Sequence, residues 1–403
     1  MIPTQTQLNT SRPSPRVSRR QRPSADWLKT ALPTLAMIVA CAGALVPSQP
    51  SRAEAPAKIT ITAAQAWLRS APSLIARHSI SVTKGQFFDV TGRTEDGAWW
   101  QLSVTPPPTA TQPAAGATWL LADLGVPVSG DVKAVPIAKP SAPVPVPATV
   151  PVPKGKTPKK PKPVKEPPVP AWIPQITPQQ RAIWQTAPSV GRDPGFFTVV
   201  GDCNSQPPVY LQRLASGQFD ASGLSPKLQA TVQQFARSFG RVSLAAKGGF
   251  GSASMMDPSW ADGGLCDPKN TGEGPFACEL RVSNASIVFI SLGTQEQYNW
   301  KDFEKNFRPI VEHALAKHVL PVLVTKADDI EVEASAPKGY INDIVRKVAK
   351  DYNVPLVDFY AATRELPWAG LIDEGGKNFH QSYMGMDRRI LVTLQTLAAI
   401  TGK

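Results

Sequence analysis

From residue 195 onward, short apolar runs alternate with amphipathic stretches. The runs are Phe196–Val200, Val242–Ala246, Ala285–Leu292, Leu320–Thr325 and Pro355–Phe359. Runs of this length, rich in β-branched residues, predict strands buried on both faces. Pro226–Phe239, Trp300–His318, Ile341–Tyr352 and Asp387–Ile400 carry the helical period between them. Such alternation predicts a parallel sheet covered by helices on both sides, over residues 176–403. Ligands in such sheets sit beyond the carboxyl ends of the strands, so the residues after each strand are the first candidates for chemistry.

A different pattern fills residues 57–130. Lys58–Ala63, Ile80–Thr83, Gln86–Thr91, Trp99–Val104 and Thr118–Ala122 are short and β-rich. Turn residues separate them, among them Lys84-Gly85 and Glu95-Asp96-Gly97. Short strands with regular turn signals predict a small all-β barrel. Trp99, Trp100 and Trp119 form either a stacking surface or part of its core. Core is the expectation for at least two of them.

Composition sharpens the boundaries. The chain has 42 prolines in 403 residues, too many for one compact fold. They cluster in residues 131–175, where lysine lies between them (VPVPKGKTPKKPKPVKEPPVP). This run cannot build a core and favours an extended polyproline spacer of about 3 Å per residue. Residues 1–55 form the other unusual segment. A basic start precedes Ala31–Val46, which has no charge and suits the apolar region of an export signal. Ala53-Glu54-Ala55 fits cleavage after Ala55. Ile38-Val39-Ala40-Cys41 fits a lipid attachment site at Cys41, and an uncleaved anchor fits as well. Ser18-Arg19-Arg20 gives a hint of twin-arginine export, without the apolar residues that should follow. A secreted or cell-surface protein is expected, with membrane contact only through this segment.

The net charge is +12. In residues 1–30, six Arg and Lys face Asp26 alone; in 132–175, eight Lys face Glu166 alone. These two stretches account for the whole excess, so the folded parts are neutral overall. The high charge therefore predicts no nucleic-acid-binding face. The basic spacer can attract anionic wall polymers, an effect that salt weakens, or serve only as a soluble spacer, the simpler reading.

The candidate chemistry follows the predicted strands. Gly201-Asp202-Cys203-Asn204-Ser205 comes after the first, and Lys247-Gly248-Gly249-Phe250-Gly251-Ser252 after the second. Gly293-Thr294-Gln295-Glu296 follows the third, and His380 stands ahead of the last helix. In order, these blocks resemble those of the SGNH (GDSL-type) hydrolases: Gly-Asp-Ser, a glycine block, Gly-x-Asn-Asp and Asp-x-x-His. That resemblance implies a flavodoxin-like three-layer α/β/α fold and carboxylic-ester hydrolysis without cofactor or metal. Trp260 with Cys266, then Cys278-Glu279-Leu280-Arg281 and Val322–Asp328, resemble an exported subgroup carrying Gly-Asp-Cys. In residues 57–130, Trp67–Ser73, Val82–Val90, Asp96–Leu102 and Ala117–Leu120 resemble a bacterial Src-homology-3-type domain. That family implies a wall peptide or glycan as partner, or a spacer.

By the hydrolase resemblance, Cys203 is the nucleophile and Asp202 braces its turn. The Cys203 N–H, the Gly249 N–H and the Gln295 carboxamide form the oxyanion hole, and His380 is the base. Four positions depart from the pattern. Cys203 replaces serine, Gln295 replaces asparagine and Glu296 replaces aspartate. Lys377 stands where an acid should orient His380, and a lysine cannot accept the ring N–H. Asp373 or Glu374 is the substitute acid. A thiol depends less on that acid, because a Cys–His pair can ionise by itself. Ser205 is the other possible nucleophile, with Cys203 then a packing residue.

Cys266 and Cys278 flank a polar loop and are expected to pair outside the cell, leaving Cys203 free. Lys326 and Asp328 either line the cleft or form a loop ion pair. His78, His313 and His318 carry no functional claim, and no metal-binding or phosphate-loop spacing appears. The expected function is ester hydrolysis or deacylation of cell-wall or extracellular glycan. The alternative is an inactive protein that keeps the cleft as a glycan- or peptide-binding groove. A third reading gives the function to the front module.

Overall fold

A computed structural model of the chain describes residues 57–76, 78–104, 118–138, 169–207, 209–298, 300–331, 335–373 and 378–402. The expected export segment, most of the Pro/Lys spacer, Glu374 and Lys377 lie outside the described residues. Among the described residues, no helix is long and apolar enough to cross a membrane.

Residues 58–129 form one antiparallel sheet. Its strands are β1 (Lys58–Ile61), β2 (Gln65–Arg69), β3 (His78–Thr83), β4 (Phe87–Arg93), β5 (Trp99–Ser103), β6 (Thr118–Leu121) and β7 (Gly125–Ser129). They lie in the order β3-β2-β6-β5-β4-β1-β7. Period-two alternation buries Ile59 and Ile61 of β1 and leaves Lys58 outside. The Glu95-Asp96-Gly97 turn joins β4 to β5. Gly97 has φ of 71°, and Asp96 Oδ1 accepts the Ala98 N–H at 3.0 Å. Two strands were absent from the sequence reading. β7 carries Pro127, a breaker in a central strand, but β7 is an edge strand and tolerates it. Trp99, Trp100 and Trp119 are only 5%, 7% and 1% exposed, so all three are core and none offers a stacking face.

The α/β part is a parallel sheet of β8 (Asp193–Gly201), β9 (Ala285–Ser291), β10 (Leu320–Val324) and β11 (Leu356–Val357), in the order β11-β10-β9-β8. Alternate residues face opposite sides. Val200, Val288, Ile290 and Leu323 pack with the helices Pro275–Ser283, Phe303–Ala316 and Tyr340–Asp351. Phe197, Ile287, Phe289 and Val322 belong to a second cluster with Val232 and with Val392, Leu394 and Leu397 of the helix Tyr383–Thr401. Strands covered on both faces give the expected layers.

The predicted strand Val242–Ala246 requires correction. Ala246 only bridges Gly201 in parallel, and Val242 is exposed. The reason is a side chain. Buried Glu279, paired with Arg241, accepts the Leu244 N–H at 2.8 Å, and Ser243 Oγ accepts the Ala245 N–H at 3.1 Å. With those N–H groups taken, only the end of the segment reaches β8: Ala245 O accepts the Gly201 N–H at 3.0 Å.

The two parts share one hydrophobic cluster, in which Leu68, Leu121 and Leu124 join Leu214, Phe235 and Phe239. Buried Arg69 crosses between them. Its Nη2 donates to Leu214 O at 3.0 Å and its Nη1 to Leu74 O at 2.6 Å. Gly217 permits this close approach, since a Cβ there would meet His78 Nε2 at 2.9 Å and Trp67 Cβ at 3.0 Å.

Candidate active site

β8 delivers its last residue, Gly201, to a tight turn. A Cβ on Gly201 would stand 2.2 Å from Ser205 Oγ and 2.4 Å from Ser291 O, so the turn closes only over glycine. Asp202 caps the 3₁₀ turn Cys203–Ser205. Its Oδ1 accepts the Asn204 N–H at 2.9 Å and its Oδ2 accepts the Thr294 N–H at 3.3 Å. The expected bracing role of Asp202 thus has a geometry: it ties the first block to the third.

Arg389 supports the turn from the helix Tyr383–Thr401. It is buried, lies 4.2 Å over the Tyr210 ring, and donates to Asn204 O and, at 2.9 Å, to Ser205 Oγ. Ser205 is 3% exposed and engaged by this guanidinium. Its hydroxyl belongs to the support beneath the turn, which weighs against Ser205 as the alternative nucleophile.

Among the described residues, Cys203 is the free thiol, half-buried at the head of the turn. Burial pushes it up to about 11 and the Asp202 carboxylate pushes the same way; the N–H groups of Asn204 and Cys203, and Arg389, oppose them. These effects favour the neutral thiol, the direction opposite to a self-ionising Cys–His pair.

The glycine block flanks the sulfur. A Cβ on Gly248 would lie 3.8 Å from Cys203 Cβ, and the Gly248 N–H donates to Gln206 Oε1 at 2.8 Å. Gly249 has φ of 87° and is exposed. Among the described residues, the Gly249 N–H has no protein acceptor, and the Cys203 N–H faces its own sulfur. Gln295 is exposed, and its carboxamide likewise has no protein partner. Glu296 turns inward, and burial raises its pKa. Its Oε1 accepts the Ser252 N–H, so it props the glycine block from below.

The histidine loop is held by carboxamides. Asn378 Oδ1 lies 2.7 Å from His380 Nδ1 and also accepts the His380 N–H at 3.1 Å. Asn378 thus takes the place expected for Asp373 or Glu374. Asp373 acts one step away, its Oδ1 accepting the Asn378 N–H at 3.0 Å. Asn204 ties this loop to the nucleophile turn. Its Nδ2 donates to Phe379 O at 3.2 Å, and its Oδ1 accepts the Gln381 N–H at 3.2 Å. One carboxamide therefore grips the backbone on both sides of His380. No hydrogen bond joins Cys203 to His380 among the described residues; such contacts are often long in unliganded sites.

Sequence reasoning missed Asn204, Asn378 and Arg389. The first two are polar loop residues, and only their closeness to the candidate Cys and His could have flagged them. Lys326 and Asp328 form a buried ion pair at 3.2 Å, joined by Glu331 at 3.3 Å, and they also line a small cavity with Asp202 and Asn204, so the two readings of this pair meet. Cys266 and Cys278 form the expected disulfide.

No family model and no curated protein matches the chain. Solved structures to which it is similar are GDSL-type hydrolases. One is a catalytic mutant of an acetylxylan esterase from Geobacillus stearothermophilus, 14% identical, covering 51% of this chain and 94% of its own, with a TM-score of 0.34. Another is a GDSL-like lipase from Bacteroides thetaiotaomicron, 14% identical, covering 54% and 98%, with a TM-score of 0.35. A third is a lipolytic protein of the G-D-S-L family from Desulfitobacterium hafniense, 14% identical, covering 50% and 99%, with a TM-score of 0.32.

Proposed function

We propose that this protein is a carboxylic-ester hydrolase of the SGNH type that works through a thiol, outside the cytoplasm, on acyl esters of wall or extracellular glycan. One observation carries the reading. Asn378 orients His380 at 2.7 Å while Asn204 fixes the backbone on both sides of it, beside a nucleophile turn flanked by the free Gly249 N–H. With Nδ1–H held by Asn378, Nε2 is the basic nitrogen. Cys203 Sγ attacks the acyl carbonyl as its proton passes to His380 Nε2. The N–H groups of Cys203 and Gly249, with the Gln295 carboxamide, take the oxyanion. Collapse breaks the C–O bond, and the leaving alkoxide receives the proton from His380. Water, deprotonated by His380, then attacks the thioester, and the carboxylate and the thiol are released. A Cys-His-Asn set performs acyl transfer on other folds, so the carboxamide is chemically sufficient.

A second reading has its own support. A thiol held neutral up to about 11 is poorly activated, which favours a glycan- or peptide-binding groove without catalysis. The full chain, its Cys203→Ala variant and its Ser205→Ala variant separate the two when hydrolysis of ethyl acetate is followed against pH. The hydrolase reading expects Cys203→Ala to lower kcat by about a thousandfold or more. It expects Ser205→Ala to retain most of the activity. Equal rates in all three proteins, at the uncatalysed background, would leave the binding reading.

A further inference from the structure

Beside the oxyanion residues opens a cleft of about 270 Å³, whose lining includes Gly249, Gln295, Asp257, Trp260 and Asn306. Trp260 is 49% exposed although large and apolar. Its ring is not loose. Phe250, buried and adjacent to Gly249, meets it edge-on with ring centres 5.8 Å apart. The residue that follows the oxyanion glycine therefore positions the indole. Asp257 is exposed and begins the short turn that carries Trp260. Its Oδ1 accepts the Ser259 N–H at 2.9 Å, the Ser259 hydroxyl also bonds to this carboxylate, and the exposed group keeps acceptor capacity toward the cleft. The Asn306 carboxamide has no protein partner among the described residues.

An acyl pocket would be closed and apolar. This cleft is open, and beside the buried Glu296 and the Gln295 carboxamide it carries one flat aromatic face, the exposed Asp257 carboxylate and the free Asn306 carboxamide. A fixed aromatic face packs against the C–H face of a sugar ring, and the polar pair takes hydroxyls. The carboxylate disfavours an anionic ring and accepts from a neutral polyol.

We propose that this cleft binds the alcohol half of the ester, a neutral pyranose stacked on Trp260 with hydroxyls on Asp257 and Asn306. The assignment of an alcohol half rests on the hydrolase reading; the sugar platform does not.

The test uses the full chain, with mono-O-acetylated methyl glucoside and ethyl acetate as paired substrates. Native protein is expected to prefer the glucoside in kcat/KM. Trp260→Ala is expected to lower the glucoside-to-ethyl-acetate ratio about tenfold, through KM, which is the size of one aromatic stacking contact. Trp260→Phe should restore most of it. In Cys203→Ala, methyl glucoside should change the tryptophan fluorescence in a saturable way, and the added Trp260→Ala change should abolish that signal. If ethyl acetate is cleaved but the ratio ignores Trp260, the sugar platform is overturned and the hydrolase stands. If neither ester is cleaved but the fluorescence titration saturates through Trp260, the hydrolase reading falls and the platform stands as a binding site. If neither cleavage nor binding occurs, both fall.

Discussion

The Cys203–Ser205 turn, which carries the proposed nucleophile, and the His380 loop are tied together by Asn204 but are held in opposite ways. In the turn, Gly201 is sterically obligatory, Asp202 uses both oxygens, and Arg389 fixes Asn204 and Ser205 from below. The histidine loop instead hangs on short polar contacts. Leu371 bridges Gln381, Ile372 N–H reaches His380 O at 3.0 Å, and Asn378 holds the ring. The difference teaches a division of labour. The turn that the proposed mechanism asks to receive an oxyanion is built into the sheet and the last helix, where rearrangement is costly. The proposed base, His380, sits on a loop that, among the described residues, is hydrogen-bonded to the turn through the side chain of Asn204 alone.

Breaking the firm half should have the largest effect. Arg389→Met keeps the length of the side chain and removes the charge, leaving Asn204 O and Ser205 Oγ without their donor. A loss of about 3 kcal/mol in denaturant-measured stability is expected. A loss below about 1 kcal/mol would show that the turn holds itself and that the contrast drawn above is wrong. A smaller effect sharpens the same contrast. The rigid turn withdraws Cys203 from water, so its thiolate fraction near neutral pH should be about a hundredfold below that of a free thiol. Iodoacetamide alkylation of the native protein should rise with a midpoint at about 11, against an ordinary value of 9.0 for the unfolded chain. The sign for stability follows. The fold favours the neutral thiol, so this contribution is intact below pH 9 and is lost as pH rises toward 11. A native midpoint at or below 9 would mean that the turn activates the sulfur, and the binding reading would lose its support.

What the sequence made legible differs between the same two regions. β8, β9 and β10 announce themselves because both their faces are buried, and the residues after β8 and β9 point straight to Cys203 and Gln295. The segment 242–246 has the same apolar look, yet its N–H groups go to Glu279 and Ser243, a tertiary arrangement that no local pattern reveals. Arg389 sits inside a helical period as if it were a solvated residue; only the structure shows it beneath the turn. The histidine loop was readable to the residue type but not to the partner. A fixed offset led to position 377 and to the nearby acids, whereas the ring is held from position 378. Two residues of spacing let Asn378 accept both the ring and the backbone N–H of His380, a local turn that a three-residue offset does not suggest.

The weaker half offers the last and smallest test. If Asn378 only orients the imidazole, Asn378→Ala should lower kcat about tenfold at unchanged KM, the size expected for a supporting hydrogen bond. Asn378→Asp should restore the orientation and add a negative charge beside the ring, which favours the imidazolium. Its rate profile should then shift to higher pH, because the base becomes neutral only at higher pH. A purely structural role for Asn378 would give equal losses for both variants and no movement of the profile. A profile that moves for Asn378→Asp while Asp373→Asn leaves it in place would fix the carboxamide, and not the acid one step away, as the group in contact with His380.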